Sequence, residues 1–411
     1  MPSSPGRRVR KVADGHETSS DQPQAAQPAS LREVAIVFLR LGTTAFGGPA
    51  AHIAMMEDEF VRRRRWITQE KFLDLLGAVN LIPGPNSTEM AIYIGYLRAG
   101  WAGLLIAGVC FILPAMAMVA AIAWAYLRFG SLPQFTGLLY GIKPVVIAVI
   151  LQALWGLGRK AIKTKFLAAI AAVAAAASYY GVDPLTLILL GGAVAGLQRG
   201  RTQERGNRLK PILVMLIAAG GILAFSYFAA RLGESEKVEV GLQPLFLYFL
   251  KIGSVLYGSG YVLLAFLQAD LVTRWHWLTP AQLLDATAVG QVTPGPLFTT
   301  ATFIGYLVGR LPGALVATVG IFLPSSVFIA LSGPLIPRLR RSPMAGAFLD
   351  GVTVASLALM AVVTWQLGCA AIFDVTTALL AAVAAILLVR FRVNSAWLVL
   401  GGAAIGIGVR L

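Results

Sequence analysis

The chain has 411 residues, of which 57% are hydrophobic and 13% charged, with a formal net charge of +15. Soluble globular chains carry roughly 25% charged residues, so this composition excludes a soluble enzyme, a secreted disulfide scaffold and a disordered protein. It reads as an all-α, polytopic integral membrane protein. The positive charge lies mostly in short loops between apolar runs, the arrangement of topology signals and not of a nucleic-acid surface.

Residues 1–30 are polar and carry Arg7, Arg8, Arg10 and Lys11 with no apolar core behind them. They read as a disordered cytoplasmic tail, not a signal peptide. Apolar runs follow at 34–55, 72–97, 101–127, 135–156, 166–180, 184–198, 211–230, 244–268, 283–308, 312–333, 345–367, 370–389 and 395–409. Several are near or below the roughly 20 residues that span a bilayer, so the runs predict about 10–13 transmembrane or re-entrant helices. Cys110 and Cys369 lie in apolar surroundings and His16, His52 and His276 are scattered. No disulfide framework, metal site or cofactor is therefore expected.

With every run crossing and the N-terminus inside, the cytoplasmic loops hold roughly twice as many Lys and Arg as the external ones, as the positive-inside rule requires. The exception is Arg62-Arg63-Arg64-Arg65, which falls outside. Either the first run is a re-entrant hairpin that returns this loop to the cytoplasm, or the cluster is external.

The chain repeats itself. Residues 38–93 align on 249–304 at a constant offset of 211: Phe38 on Phe249, Gly42 on Gly253, Trp66 on Trp277, Thr68 on Thr279, Asp74 on Asp285, and Pro83-Gly84-Pro85 on Pro294-Gly295-Pro296. After one gap the offset is 210, with Gly95 on Gly305, Gly103 on Gly313, Pro114 on Pro324 and Gly141 on Gly351. The expected organisation is a first repeat at 31–200, a linker with one transmembrane helix at 201–243, and a second repeat at 244–411. Six runs plus one make an odd number of crossings, so the second half is inverted. Secondary transporters built this way bind substrate between the repeats near the midplane.

Two cations sit inside apolar runs at equivalent positions, Arg40 and Lys251. An intramembrane cation is costly and usually faces an interior cavity, though long stems can also snorkel to the interface. A pseudo-symmetric pair favours a doubly charged anion. The two Pro-Gly-Pro triplets interrupt apolar runs. Proline cannot continue a helix but suits its first turn, so each triplet predicts a helix ending near Pro83 or Pro294 and another starting near Pro85 or Pro296. The free N–H groups of the new helix then form an anion site at membrane depth. Asn86, Ser87 and Thr88 in the first half, and Thr299 and Thr300 in the second, add polar side chains there. The breaks at Gly47-Gly48-Pro49 and Gly258-Ser259-Gly260 do the same beside Arg40 and Lys251. Glu89 stands four residues after Pro85. A carboxylate there competes with an anion and can take a proton when the anion leaves, which makes it the candidate for proton coupling. His52 reads as a packing or interface residue, and Asn80 and Gln291 as partners for backbone groups freed at the breaks. Most other carboxylates, the repeat pair Glu59 and Asp270 among them, read as solvated or paired with the basic loop.

The segment Phe46-Gly47-Gly48-Pro49, with Glu57, Trp66 and Phe72 downstream and then Asn80-Leu81-Ile82-Pro83-Gly84-Pro85, resembles the signature of the chromate ion transporter superfamily. The duplicated length is similar to its long bacterial members, and the resemblance covers nearly the whole chain from about residue 31. It implies proton-driven efflux of chromate across the cytoplasmic membrane, and chromate resistance, with the isosteric dianion sulfate as competitor. The second half departs from the signature, with Gly258-Ser259-Gly260 in place of the Gly-Gly-Pro and Leu297 in place of Asn86. The alternatives are transport of sulfate or another oxyanion, an anion channel, or a membrane enzyme acting on a lipid phosphate. The last lacks a nucleophile and acid–base cluster, and no ATP-binding Gly-rich motif occurs. Oligomeric state is open, a homodimer being one option.

Overall fold

A computed structural model describes residues 30–46, 48–130, 132–202, 239–257, 260–332, 342–391 and 393–410. The tail of residues 1–29, Gly47, Gly258-Ser259 and the apolar run 211–230 lie outside the described residues. The described chain is helical throughout.

The first half opens with two short arms, α1 (Leu31–Thr44) and α2 (Gly48–Glu57), the latter continuing through a wide π turn over Asp58–Arg63. Ser30 caps α1, its hydroxyl accepting from the Glu33 N–H. The arms run antiparallel. Arg64 pairs with Glu33 at 2.6 Å near the mouth, the Phe38 and Phe60 rings lie 5.2 Å apart midway, and His52 reaches Ala45 at the tip. A second pair of arms follows. α3 (Gln69–Val79) is capped by Thr68, and α4 (Asn86–Phe129) begins after the first Pro-Gly-Pro. Arg98, at the end of the 86–98 arm of α4, lies over the ring of Trp66, 5.1 Å from its centroid, just ahead of α3. Both pairs therefore enter and leave by the same face.

The runs at 34–55 and 72–97, which hydropathy reads as crossings, are re-entrant hairpins. The first of these resolves the exception in the charge pattern, because Arg62 to Arg65 return to the face where α1 starts. Length and hydropathy cannot distinguish one full span from two half-length arms; the discriminating signal is the Gly/Pro break at mid-run.

At Ala99-Gly100 the backbone leaves the helix, Gly100 with φ +59°, and the 101–129 arm turns back against 86–98. Gly95 and Gly103 face each other there so closely that a Cβ on either would strike the other's carbonyl. Three more helices complete the half: α5 (Pro133–Ala161), α6 (Lys165–Tyr179) and α7 (Pro184–Thr202).

The second half repeats the plan. α8 (Leu242–Val255) is followed by the short α9 (Leu263–Phe266) and a π turn at Leu267–Arg274, with Tyr248 and Trp275 rings 5.0 Å apart as the rung between arms. Next come α10 (Pro280–Val292), capped by Thr279 and Gln282 in a reciprocal capping box, and α11 (Thr300–Ser332), which turns at Gly309-Arg310. α12 (Pro343–Ala371), α13 (Val375–Arg390) and α14 (Ser395–Arg410) follow. Among the described residues, four helices are long and apolar enough to cross a membrane, Asn86–Phe129, Pro133–Ala161, Leu297–Leu331 and Pro343–Ala371, and five shorter apolar helices accompany them.

The halves are interleaved. α7 packs on α12 and α14 on α5. Gly191 meets Gly351 and Gly141 meets Gly402 at backbone contact, the small-residue crossing typical of membrane helices. These two crossings are each other's repeat image. Side-chain ties set the relative direction. Lys163 at the end of α5 pairs with Asp350 near the start of α12 at 2.9 Å. Tyr140, early in α5, donates to Asp374, the cap of α13, at 2.7 Å. Lys143, also early in α5, pairs with Asp285 near the start of α10 at 3.0 Å. The hairpins of the second half thus start at the face opposite those of the first, and the repeats are inverted.

Candidate functional site

The four hairpin tips meet in the middle of the molecule through two reciprocal backbone bonds. The Gly84 N–H donates to the Leu256 carbonyl at 2.8 Å, and the Gly295 N–H donates to the Ala45 carbonyl at 2.9 Å. Gly84 and Gly295 are repeat images, as are Ala45 and Leu256, so each Pro-Gly-Pro tip is tied to the other half's first hairpin. Both glycines need their lack of a side chain. Gly84 has φ +138° and Gly295 φ +101°, a region open mainly to glycine. A Cβ on Gly84 would strike both the Glu89 carboxylate and the Ser325 hydroxyl, and one on Gly295 would strike Ala115. Ala115 and Ser325 are themselves repeat images.

His52 adds a further tie. It is 1% exposed, its Nε2 lies 3.0 Å from the Ala45 carbonyl, and its ring stands edge-on to Phe111. A carbonyl can only accept, so Nε2 carries the proton and Ala45 accepts from both His52 and Gly295.

The first tip is polar and incompletely bonded. Pro85 caps α4, and its carbonyl accepts from the Thr88 and Glu89 N–H groups at 2.8 and 3.0 Å. The Asn86 and Ser87 N–H groups, at the first two helical positions, have no intrahelical acceptor. The Asn86 side chain donates to Asn80 at 2.5 Å, so Asn80 meets a side chain instead of the backbone group expected from sequence. Ser87 is buried, and Thr88, Glu89 and Ser325 are each 0% exposed. The Thr88 hydroxyl closes no hydrogen bond among the described residues, while the Ser325 hydroxyl and the Glu89 carboxylate lie within hydrogen-bonding reach of each other without closing a bond of regular geometry. Tyr257, which follows the Leu256 carbonyl, stands within interaction range of Glu89.

The second tip is filled. Leu297 and Phe298 are buried, and Phe298 packs on Phe322. The Thr299 hydroxyl donates to the Pro296 carbonyl and that of Thr300 to the Leu297 carbonyl, both at 2.8 Å, so neither proton is offered outward. Gln291 accepts from Tyr261 at 3.3 Å.

The two sequence-predicted cations stand in the hairpin arms and are engaged there. Arg40 bonds Glu59, which Arg64 also bonds at 2.6 Å, and the Arg40 side chain is 51% exposed. Lys251 is the main cation acting on buried Asp270, which stands 211 residues after Glu59. Cation and acid therefore recur at equivalent positions in both halves and close an ion pair in the first; Glu59 and Asp270 are buried, not solvated, and Glu59 is paired with Arg64 of the basic loop as well as with Arg40. Gly48, at φ +79°, starts α2; Gly47 lies outside the described residues. Ser325, Tyr257 and Lys143 were not singled out by sequence reasoning. Ser325 was readable as the residue after Pro324, the image of Pro114. Among the described residues no three His, Cys, Asp or Glu side chains converge as a metal site.

Inverted repeats whose broken helices interlock at the centre define a multi-pass membrane protein with a transporter's architecture. Residues 32–197 and 243–407 each match the chromate transporter family. The chain belongs to that family. It is 34% identical over 389 residues to the chromate transport protein of Cupriavidus metallidurans, covering 94% of this chain and 95% of that one. It is 31% identical over 372 residues to the probable chromate transport protein of Synechococcus elongatus, covering 89% and 92%. A chromate transport protein of Pseudomonas aeruginosa is 32% identical over 345 residues, covering 83% and 82%. No solved structure matches.

Proposed function

We propose that the chain is a secondary transporter that exports chromate across the cytoplasmic membrane, driven by the proton gradient, and so confers chromate resistance. The observation that carries this reading is the first tip: buried Ser87, Thr88, Glu89 and Ser325 gathered at a helix N-terminus where both halves meet, the Thr88 hydroxyl closing no hydrogen bond among the described residues. Unsatisfied donors at membrane depth are expensive, and a tetrahedral oxyanion is a ligand that would satisfy them. Free Asn86 and Ser87 amides, the positive end of the α4 dipole and the Asn86, Ser87 and Thr88 side chains are its donors. Pro83, Gly84 and Pro85 hold that turn, and Pro294, Gly295 and Pro296 hold its image, with Thr299 and Thr300 shaping the opposite wall. Gly48, at positive φ, opens the returning arm of the first hairpin. Arg40 stands five residues before Ala45, about 7.5 Å along a helix, and with Lys251 lends positive potential to the tips. Glu89 takes the proton: its carboxylate occupies the place where an anion would sit, so anion occupancy and Glu89 protonation are linked.

The test is uptake of chromate into everted membrane vesicles under an imposed pH gradient, with sulfate as competitor. Uptake should follow the gradient, and Glu89→Gln should uncouple the two. Chromate flux that ignores the gradient, in wild type and variant alike, would identify an anion channel. Preferential uptake of sulfate would reassign the substrate.

A further inference from the structure

A second polar cluster lies away from the tips and has no part in the site above. Between the halves, a cavity of about 400 Å³ is lined by Tyr126, Leu127, Thr136, Leu139, Lys143 and Asp285. Asp285 comes from the second half and is 3% exposed; Lys143 comes from the first and is 20% exposed. The Lys143 ammonium lies 3.0 Å from one Asp285 oxygen, and the Tyr126 hydroxyl donates to the other at 3.0 Å. An ammonium has three donors, and Asp285 takes one of them. The cluster sits near the starts of α5 and α10, on the face opposite Arg62 to Arg65. From Asp285 the α10 helix leads straight to Pro294 and the tips.

We propose that this cavity is a vestibular binding site for a small oxyanion, which displaces Asp285 from Lys143. Three features support it. The ion pair is neutral, so it does not repel an approaching anion as a lone carboxylate would. A liquid water takes about 30 Å³, so the cavity holds a tetrahedral oxyanion with part of its hydration shell. Tyr126 retains its bond to Asp285 when the ammonium turns away, so the displaced carboxylate is not left without a donor. A structural brace across the halves would need the Lys–Asp contact but no cavity around it. The proposal rests on the transport reading, because it places the vestibule on the exit path from the tips.

The test is equilibrium binding of radiolabelled sulfate and chromate to the purified full-length protein in lipid nanodiscs. Asp285→Asn keeps the shape and the Tyr126 contact but removes the competitor for Lys143, so sulfate should bind about tenfold more tightly to one class of sites. Lys143→Gln should abolish that class and Lys143→Arg should retain it. Thr88→Val should weaken only the other class. Thermal stability measured beside each variant separates binding from folding. Unchanged or weakened binding in Asp285→Asn, with Thr88→Val still effective, overturns the vestibule alone. Tighter binding in Asp285→Asn with no effect of Thr88→Val overturns the tip site and leaves the vestibule standing.

Discussion

The two Pro-Gly-Pro tips share a backbone and differ in what surrounds it. Each has a glycine at positive φ whose N–H reaches across to the other half, 2.8 Å for Gly84 and 2.9 Å for Gly295. In the first, Asn86-Ser87-Thr88-Glu89 brings buried polar groups beside Ser325, the Thr88 hydroxyl among them closing no hydrogen bond among the described residues. In the second, the corresponding Leu297-Phe298-Thr299-Thr300 packs against apolar neighbours and turns its hydroxyls onto its own carbonyls. The duplication preserved what the interlock requires and released what ligand contact requires. Symmetry of scaffold therefore says nothing about symmetry of chemistry.

The strongest way to break this comparison is at the glycines. Gly84→Ala forces a side chain into a strained φ and against Glu89 and Ser325, so chromate transport should fall to background with protein still in the membrane. Gly295→Ala is also strained but meets only the Ala115 methyl, and should retain more transport. Equal loss in both would mean that the interlock, and not the first tip's contents, sets the rate. Next come the acid and its image: Glu89→Gln should lower gradient-driven chromate transport about tenfold or more and flatten its pH profile, whereas Thr300→Val should stay within about twofold, measured in vesicles across pH. A smaller effect is expected at the hydroxyls. Thr88→Val removes an unpaired donor, and a neutral hydrogen bond contributes about 1 kcal/mol, so apparent chromate affinity should fall roughly fivefold. Thr299→Val removes a donor already turned on Pro296, so its cost should appear in thermal stability and not in affinity. The mildest test is Arg310, which holds φ +54° where the first half has Gly100 at +59°. Arg310→Gly should relieve strain of roughly 1 kcal/mol and raise the melting temperature with transport unchanged.

Much of the fold was legible because the repeat is written residue by residue. Thr68 and Thr279 align because both cap a helix, Gly95 and Gly305 because both face a close turn, and Gly141 and Gly351 because both lie at a helix crossing. The helix breaks were legible from proline chemistry. The re-entrant geometry was legible only as an alternative, raised for the first run by the misplaced Arg62 to Arg65, because a run of about 25 apolar residues satisfies a full span and a two-armed hairpin equally. The acidic partner of Arg40 was not legible for a related reason. Its partner Glu59 stands 19 residues away, and pairing across a hairpin requires knowing that the chain turns back; the recurrence of both charges at Lys251 and Asp270 was the available signal. Lys143 stayed hidden inside an apolar run, since nothing local in sequence joins it to Asp285.

The crossed bonds at the centre also impose an order of assembly. As the chain leaves the ribosome, residues 31–98 can form both hairpins, yet the Gly84 amide has no acceptor until Leu256 has been made. An unpaired amide in the hydrocarbon layer is unfavourable by several kcal/mol, so the early hairpins should stay near the aqueous face and sink to full depth only when the second set arrives. Closure of the centre is then the last event of biogenesis, and a chain cut between the repeats would have to reunite its two pieces before either one matured.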